Sequence, residues 1–266
     1  MARLHRAGEL TAIAVPDPED EALRDLVRAR DDAVHDQRQV RQRLRAFLLR
    51  QGQVYERKKA WGPTHELFLS RIKFENPAHH IVFSESRIAV KSAAERVARA
   101  EEALRGQAES WRWMPVVRAL MALRGVDFIA AITIVAEIGD LRRFPHPREL
   151  MGYLGLEPSE FSSGDATHRG QLTKTGNGRV RRILVEAAWN YRFPARIGET
   201  ITPRLEGLPQ RIVDIGWKAQ LRLCARYRRL RARGLHQNKT CAAIARELAG
   251  FVWDIGRHVS PASSIQ

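Results

Sequence analysis

Two serines and a glycine, Ser162-Ser163-Gly164, stand ahead of a run dense in hydroxyls, amides and cations, DATHRGQLTKTGNGRVRR. A serine alcohol is a weak nucleophile at its ordinary protonation state. It attacks a phosphoryl group only with a base or metal to take the proton and cations to hold charge on the nonbridging oxygens. The neighbouring cations His168, Arg169, Lys174, Arg179, Arg181 and Arg182 are of the right kind. From Arg179 onward, Val180, Ile183, Leu184, Ala187, Ala188 and Tyr191 fall on one helical face, which predicts a buried helix capped by Asn177 or Thr175. Its first turn offers unpaired N–H groups beside Lys174 and Arg179, an arrangement suited to a phosphate. Ser-Ser-Gly is also the composition of a plain surface turn, and these residues alone leave both readings open.

The elements that must position this stretch precede and follow it. LMALRGVDFIAAITIVAEIGDL predicts a helix end, a tight turn at Gly125, and a second helix stopped by Gly139. Such a helix-hairpin-helix-like unit can present backbone N–H groups at Gly125 to a phosphate without reading sequence, although an ordinary core hairpin needs the same glycine. FPHPRELMGYLGLEPSE then predicts a Pro-bounded short helix, Arg148 to Leu154. Residues 194 to 210, rich in Pro, Gly and Thr, predict a loop, and two further helices are expected at 211 to 232 and 240 to 256. The first of these carries RLCARYRRLRARG, whose Arg226, Arg228 and Arg229 are candidates to follow a phosphate backbone or simply to solvate a helix face.

Upstream, apolar residues recur at three and four from Asp17 to about Arg50 and again from about Ser84 to Glu109, predicting two long amphipathic helices able to form an antiparallel hairpin. Arg30 and Gln37 interrupt the first stripe, so an unbroken coiled-coil seam is not expected. Between them QGQVYERKKAWGPTHELFLSRIKFENPAHH reads as a loop, with Lys58, Lys59 and Trp61 interleaved as in a nucleic-acid contact and His79 and His80 exposed. Residues 1 to 16 read as a helix end followed by a lone extended piece, LTAIAVP, which suggests the tail of a domain begun elsewhere.

The whole is expected to be mainly α. Its 266 residues carry a formal charge of +15, from 45 Lys and Arg against 30 Asp and Glu, which predicts a polyanionic partner. No stretch approaches the roughly 20 apolar residues of a membrane span. The opening MARLHRAGEL lacks the apolar centre of a secretory signal, so a cytoplasmic location is expected. Cys224 and Cys241 have no CxxC companion and sit in helical patterns, as buried structural residues do.

Three pieces in order, LRGVDFIAAITIVAEIGDLRRF, ELMGYLGLEPSEFSSG and RGQLTKTGNGRVRRILVEAAW, resemble the C-terminal transposase domain of the DEDD-type insertion-sequence transposases. That group includes the Piv and MooV invertases and the RNA-guided bridge recombinases. The likeness covers about Leu120 to Arg192, the helices at 17 to 110 resemble the family's coiled-coil connector, and 194 to 266 match more loosely. The resemblance implies four parts: a remnant of a RuvC-like domain at 1–16, a helical connector at 17–110, a serine-bearing transposase domain at 111–193 and a basic helical extension at 194–266.

It further implies a serine nucleophile that joins covalently to DNA, carried here to Ser163 with Ser162 as the alternate. Candidate nucleic-acid contacts are then Gly125, Arg169, Lys174, Asn177, Arg179, Arg181, Arg182, Arg226, Arg228 and Arg229. DNA is the implied partner, in a homo-oligomer and with a guide (bridge) RNA as a further possible partner. The family's Mg2+ is held by three Asp and one Glu of the RuvC-like domain. MARLHRAGEL resembles the sequence just after the last Asp-x-x-Asp-Ala motif, so those ligands are expected upstream of Met1, leaving no cofactor in this chain and little activity for it alone.

Overall fold

The computed structural model describes residues 15–57, 59–160 and 169–262, with only the backbone of Arg169. Among these residues ten α helices and one two-stranded antiparallel sheet form two compact units, one taking in the described residues up to Arg24 and from Ala108 onward, the other those of Asp25–Gln107. The fold is therefore mainly α, as the periodicity predicts.

The connector unit is a helical hairpin. Helix α1 (Pro18–Arg50) starts in the first unit and supplies most of its length to the connector, where it runs antiparallel to α3 (Pro77–Glu109). The polar break at Arg30 in the apolar stripe is filled by a pair with Glu101 of α3, Nε to Oε1 at 3.0 Å, and Arg96 meets Asp36 at 2.7 Å one step along. At one end a short helix, α2 (Pro63–Arg71), packs a second core from Leu44, Phe47, Leu48, Leu69 and Phe83, with Trp61, Phe68, Ile72 and Phe74 around it. Each such buried side chain contributes about 1.5–3 kcal/mol.

Two expectations change in this unit. The 51–80 segment contains a helix where a loop is expected, and α3 begins at Pro77 instead of Ser84. In both cases proline takes the first helical position, where a missing N–H costs nothing and φ is already helical. Asn76 Oδ1 accepts from Ala78 N at 2.9 Å at the start of α3. His79 consequently lies in the first turn of a helix, half-buried, with its ring edge-on to Phe47 and Phe74, whereas His80 is exposed.

The larger unit holds α4 (Met114–Leu120), α5 (Phe128–Ile138), α6 (Pro147–Tyr153), strands β1 (Pro158–Glu160) and β2 (Arg169–Leu172), α7 (Gly178–Ala188), α8 (Thr202–Leu205), α9 (Gln210–Ala232) and α10 (Gln237–His258). Helix α10 sits at its centre, packed on α9, α7, α6 and α4, so the C-terminal helices share one core with the 111–193 block. Cys224 and Cys241 are free and buried there, and burial pushes both thiols up.

Asp20 fastens the start of α1 to this unit. Its buried carboxylate accepts from Trp111 Nε1 at 2.8 Å and Trp113 Nε1 at 3.2 Å, and it pairs with Arg112. Arg24 Nε reaches Ala136 O at 2.8 Å. A buried carboxylate is tolerated only with such partners.

Candidate nucleic-acid interface

The TKTGNG turn depends on two glycines that meet face to face, one within it and one just after α6, where a Cβ would collide with backbone. Gly155 and Gly176 have φ of +60° and +67°. A Cβ on Gly155 would lie 2.3 Å from Thr175 O, and one on Gly176 would lie 1.9 Å from Tyr153 O. The turn therefore lies flat against the end of α6, held by Lys174 N to Gly155 O at 3.2 Å and Thr173 N to Glu157 O at 2.9 Å. Asn177 caps α7 as expected, its Oδ1 accepting from Val180 N at 3.0 Å.

The amide of Asn177 has a second task. Its Nδ2 donates to Oε2 of Glu137 at 2.9 Å, and Arg179 Nε stands 3.8 Å from the other oxygen of that carboxylate. Glu137 is buried on α5, in a run that is otherwise apolar save for Thr133. Arg181 points Nη1 to Leu154 O and Thr175 O, both at 2.8 Å. Arg182 is exposed, 3.9 Å from Glu186 one turn on. Of the cations around this helix start, Arg179 and Arg181 hold the turn in place, and Lys174 projects outward, exposed at φ +56°.

At Gly125 the turn between α4 and α5 has φ +82°, and a Cβ there would meet Ala187 O and Asn190 Nδ2 at 2.7 Å. The glycine is required by the close approach of α7. The first turn of α5 is capped by Asp127, whose Oδ1 accepts from Ala130 N at 2.9 Å. A carboxylate there repels a phosphate, so the cation-rich surface elsewhere in the unit is the better candidate.

That surface is a groove of about 1030 Å³ between α6, the β pair, α9 and α10. Arg148, Lys174, Arg222, Arg226, Lys239 and Arg246 line it, against one carboxylate among the described residues, Glu247. Arg222 and Arg226 reach Glu247 at 3.0 and 3.1 Å, and Arg246 reaches Glu157 at 3.7 Å. Arg148, Lys174 and Lys239 are exposed and form no ion pair among the described residues. A concave wall with this imbalance concentrates a polyanion by both charge and shape.

Of the expected contacts, Lys174 and Arg226 line the groove, while the exposed Arg228 and Arg229 do not. Arg222 and Arg226 are four apart on one face of α9; Arg228, two further on, turns away from it, and Arg229, three further on, shares the face but lies beyond the groove's lining. Arg148, Lys239 and Arg246 were not singled out from the sequence. Their only signal is charge, and it becomes a cluster when helices far apart in the chain meet.

Strands β1 and β2 form one edge of the groove through Pro158, Gly170, Gln171 and Leu172. They pair Pro158 with Leu172 and Glu160 with Arg169, with an irregularity between, and Ser159 Oγ donates to Gln171 O at 3.1 Å. These strands are too short to be read from periodicity. The segment joining them, 161–168, contains Ser162, Ser163 and His168 and lies outside the described residues, as does the Arg169 side chain. No group of three or more His, Cys, Asp or Glu able to hold a metal occurs among the described residues. No helix among them is long and apolar enough to cross a membrane.

Residues 117–198 match the family described as Transposase IS116/IS110/IS902. The chain is 48% identical over 264 residues to "Putative transposase y4qE" of Sinorhizobium fredii, covering 99% of this chain and 64% of that relative. It is 31% identical over 233 residues to the transposase for insertion sequence element IS1533 of Leptospira borgpetersenii, covering 86% of this chain and 67% of the relative. A third relative, the transposase for insertion sequence element IS1111A of Coxiella burnetii, is 26% identical over 134 residues. The chain thus spans about two thirds of the length of the first two.

Proposed function

This chain belongs to the IS116/IS110/IS902 transposase family, and from that premise we propose that it moves an insertion sequence by attacking DNA phosphodiesters with a serine. The observation that carries the reading is the basic groove, edged by the two strands that the Ser162-Ser163-Gly164 segment connects. The duplex backbone lies along Arg148, Lys174 and Lys239, whose ammonium and guanidinium groups replace condensed counterions. Arg179, Arg181 and Glu137 hold the turn that positions Lys174.

The nucleophile, by resemblance, is Ser163, with Ser162 as the alternate. Its Oγ forms a bond to phosphorus as the bond to one deoxyribose oxygen breaks. The serine proton goes to a base and the leaving oxygen takes up a proton. The phosphoserine linkage conserves the energy of the broken bond, so the reverse attack by another deoxyribose hydroxyl exchanges strands without an external energy source. Mg2+ is proposed to be held by the acidic residues of the RuvC-like domain that the family resemblance implies, and activity is proposed for this chain together with that domain. A homo-oligomer and a guide RNA are further parts of the proposed assembly.

The test is covalent adduct formation. With the metal-binding part supplied, Ser163→Ala is expected to abolish the protein–DNA band on a denaturing gel while duplex affinity stays within about threefold. Unchanged adduct yield in both Ser163→Ala and Ser162→Ala would leave a groove that only binds nucleic acid.

A further inference from the structure

The connector unit carries a second cavity with a different chemistry. It measures about 220 Å³, below the roughly 300–1,000 Å³ of pockets for drug-sized ligands, and so suits one ring system. Tyr55, Trp61, His65 and Phe68 wall it, and Arg45 and Arg57 stand exposed at its margin. No carboxylate lines it among the described residues.

Three features mark it as more than a gap in packing. The first is His65, 5% exposed, with its ring centroid 4.6 Å from that of Tyr55 and 4.7 Å from that of Trp61, both edge-on. Its Nδ1 is buried without a hydrogen-bond partner, a rare condition that calls for a reason. Burial holds its protonation below the usual histidine range against the opposing pull of Glu66, so the imidazole is neutral, with one nitrogen to donate and one to accept.

The second is Trp61, which has φ +67°, a left-handed backbone that a bulky residue seldom adopts and that a fold keeps where a side chain must be aimed. Arg41 lies over its ring, 5.2 Å from the centroid. The third is Tyr55, fixed by a 3.0 Å hydrogen bond between its phenol and Thr64 Oγ1.

We propose that this cavity takes a single unpaired nucleobase of a nucleic-acid strand, inserted among the Tyr55, Trp61 and Phe68 rings, with its edge toward His65 and its phosphates toward Arg45 and Arg57. Aromatic walls stack any base, and a cationic margin suits a ring carried on a polyanion. An apolar peptide side chain would fill the same walls without requiring either arginine. The inference stands apart from the groove of the larger unit and from the serine chemistry.

The test uses the full chain and labelled single strands: oligo-adenine, oligo-thymine and an abasic strand of equal length. The base-bearing strands are expected to bind about tenfold more tightly than the abasic one. Tyr55→Ala removes that advantage. His65→Phe keeps the ring packing and the fold, verified by an unchanged or higher melting temperature, and brings the adenine and thymine affinities to within about twofold of each other. A 5-iodouracil strand is expected to crosslink to Tyr55 or Trp61, located by mass spectrometry.

Equal affinity for base-bearing and abasic strands overturns the proposal. So does Tyr55→Ala with unchanged affinities and no crosslink. A Tyr55→Ala variant that alters only the sedimentation of the free chain assigns the cavity to a protein contact and likewise overturns it. Substituting the groove cations weakens base-bearing and abasic strands alike, so failure of the groove reading and failure of this one are told apart.

Discussion

The groove of the larger unit and the cavity of the connector are both basic, yet they are built for different halves of a nucleotide. The groove is about 1030 Å³, lined by cations from three helices and one turn, with Glu247 occupied by two of them. The cavity is about 220 Å³, walled by rings, with cations only at its margin. Charge without rings holds a backbone and says nothing about sequence, whereas rings with one polar edge hold a base. Net charge alone, the strongest feature of the composition, cannot separate the two.

That contrast is broken first at the groove. Replacing Arg148, Lys174 and Lys239 together by Ala is expected to weaken duplex binding about 100-fold and to lower the slope of log affinity against log salt by about 3, since each phosphate contact contributes close to one. The advantage of base-bearing over abasic single strands should persist. Fluorescence anisotropy across a salt series reads both, and an unchanged slope would remove the groove from the interface.

A change at Arg181 sharpens the distinction between binding and holding. Arg181→Ala loses two charge-assisted hydrogen bonds to Leu154 O and Thr175 O, and is expected to cost about 2 kcal/mol of stability. Thermal melting measures it. The salt slope of duplex binding should change far less than for the groove variants. A slope lowered by about 1 with an unaltered melting curve would instead make Arg181 a phosphate contact. The smallest effect belongs to Arg228 and Arg229, neither of which lines the groove. Their double replacement by Ala is expected to alter duplex affinity by about twofold through long-range charge alone.

The larger helices were legible because burial imposes a period and because Asn177, Gly139 and Pro147 punctuate it. The helix Pro63–Arg71 and the first turn of Pro77–Glu109 were not, since Gly-Pro and Asn-Pro read equally as turn signals and only packing onto Phe47 and Leu44 decides. Strands of three and four residues carry no period at all. The candidate site was legible in part. Lys174, Asn177 and Arg226 are adjacent in sequence to recognisable signals. Glu137, Arg148 and Lys239 acquire meaning only when α5, α6 and α10 come together. The same uncertainty affects Arg179 and Arg181, whose type suggests phosphate and whose geometry ties them to a carboxylate and two carbonyls.

The pairing of Glu160 with Arg169 brings both ends of the connecting segment side by side and roots them in the wall of the groove. A substitution that unpairs Glu160 from Arg169 therefore disturbs the groove wall at Pro158, Gly170, Gln171 and Leu172 as directly as the removal of a cation does.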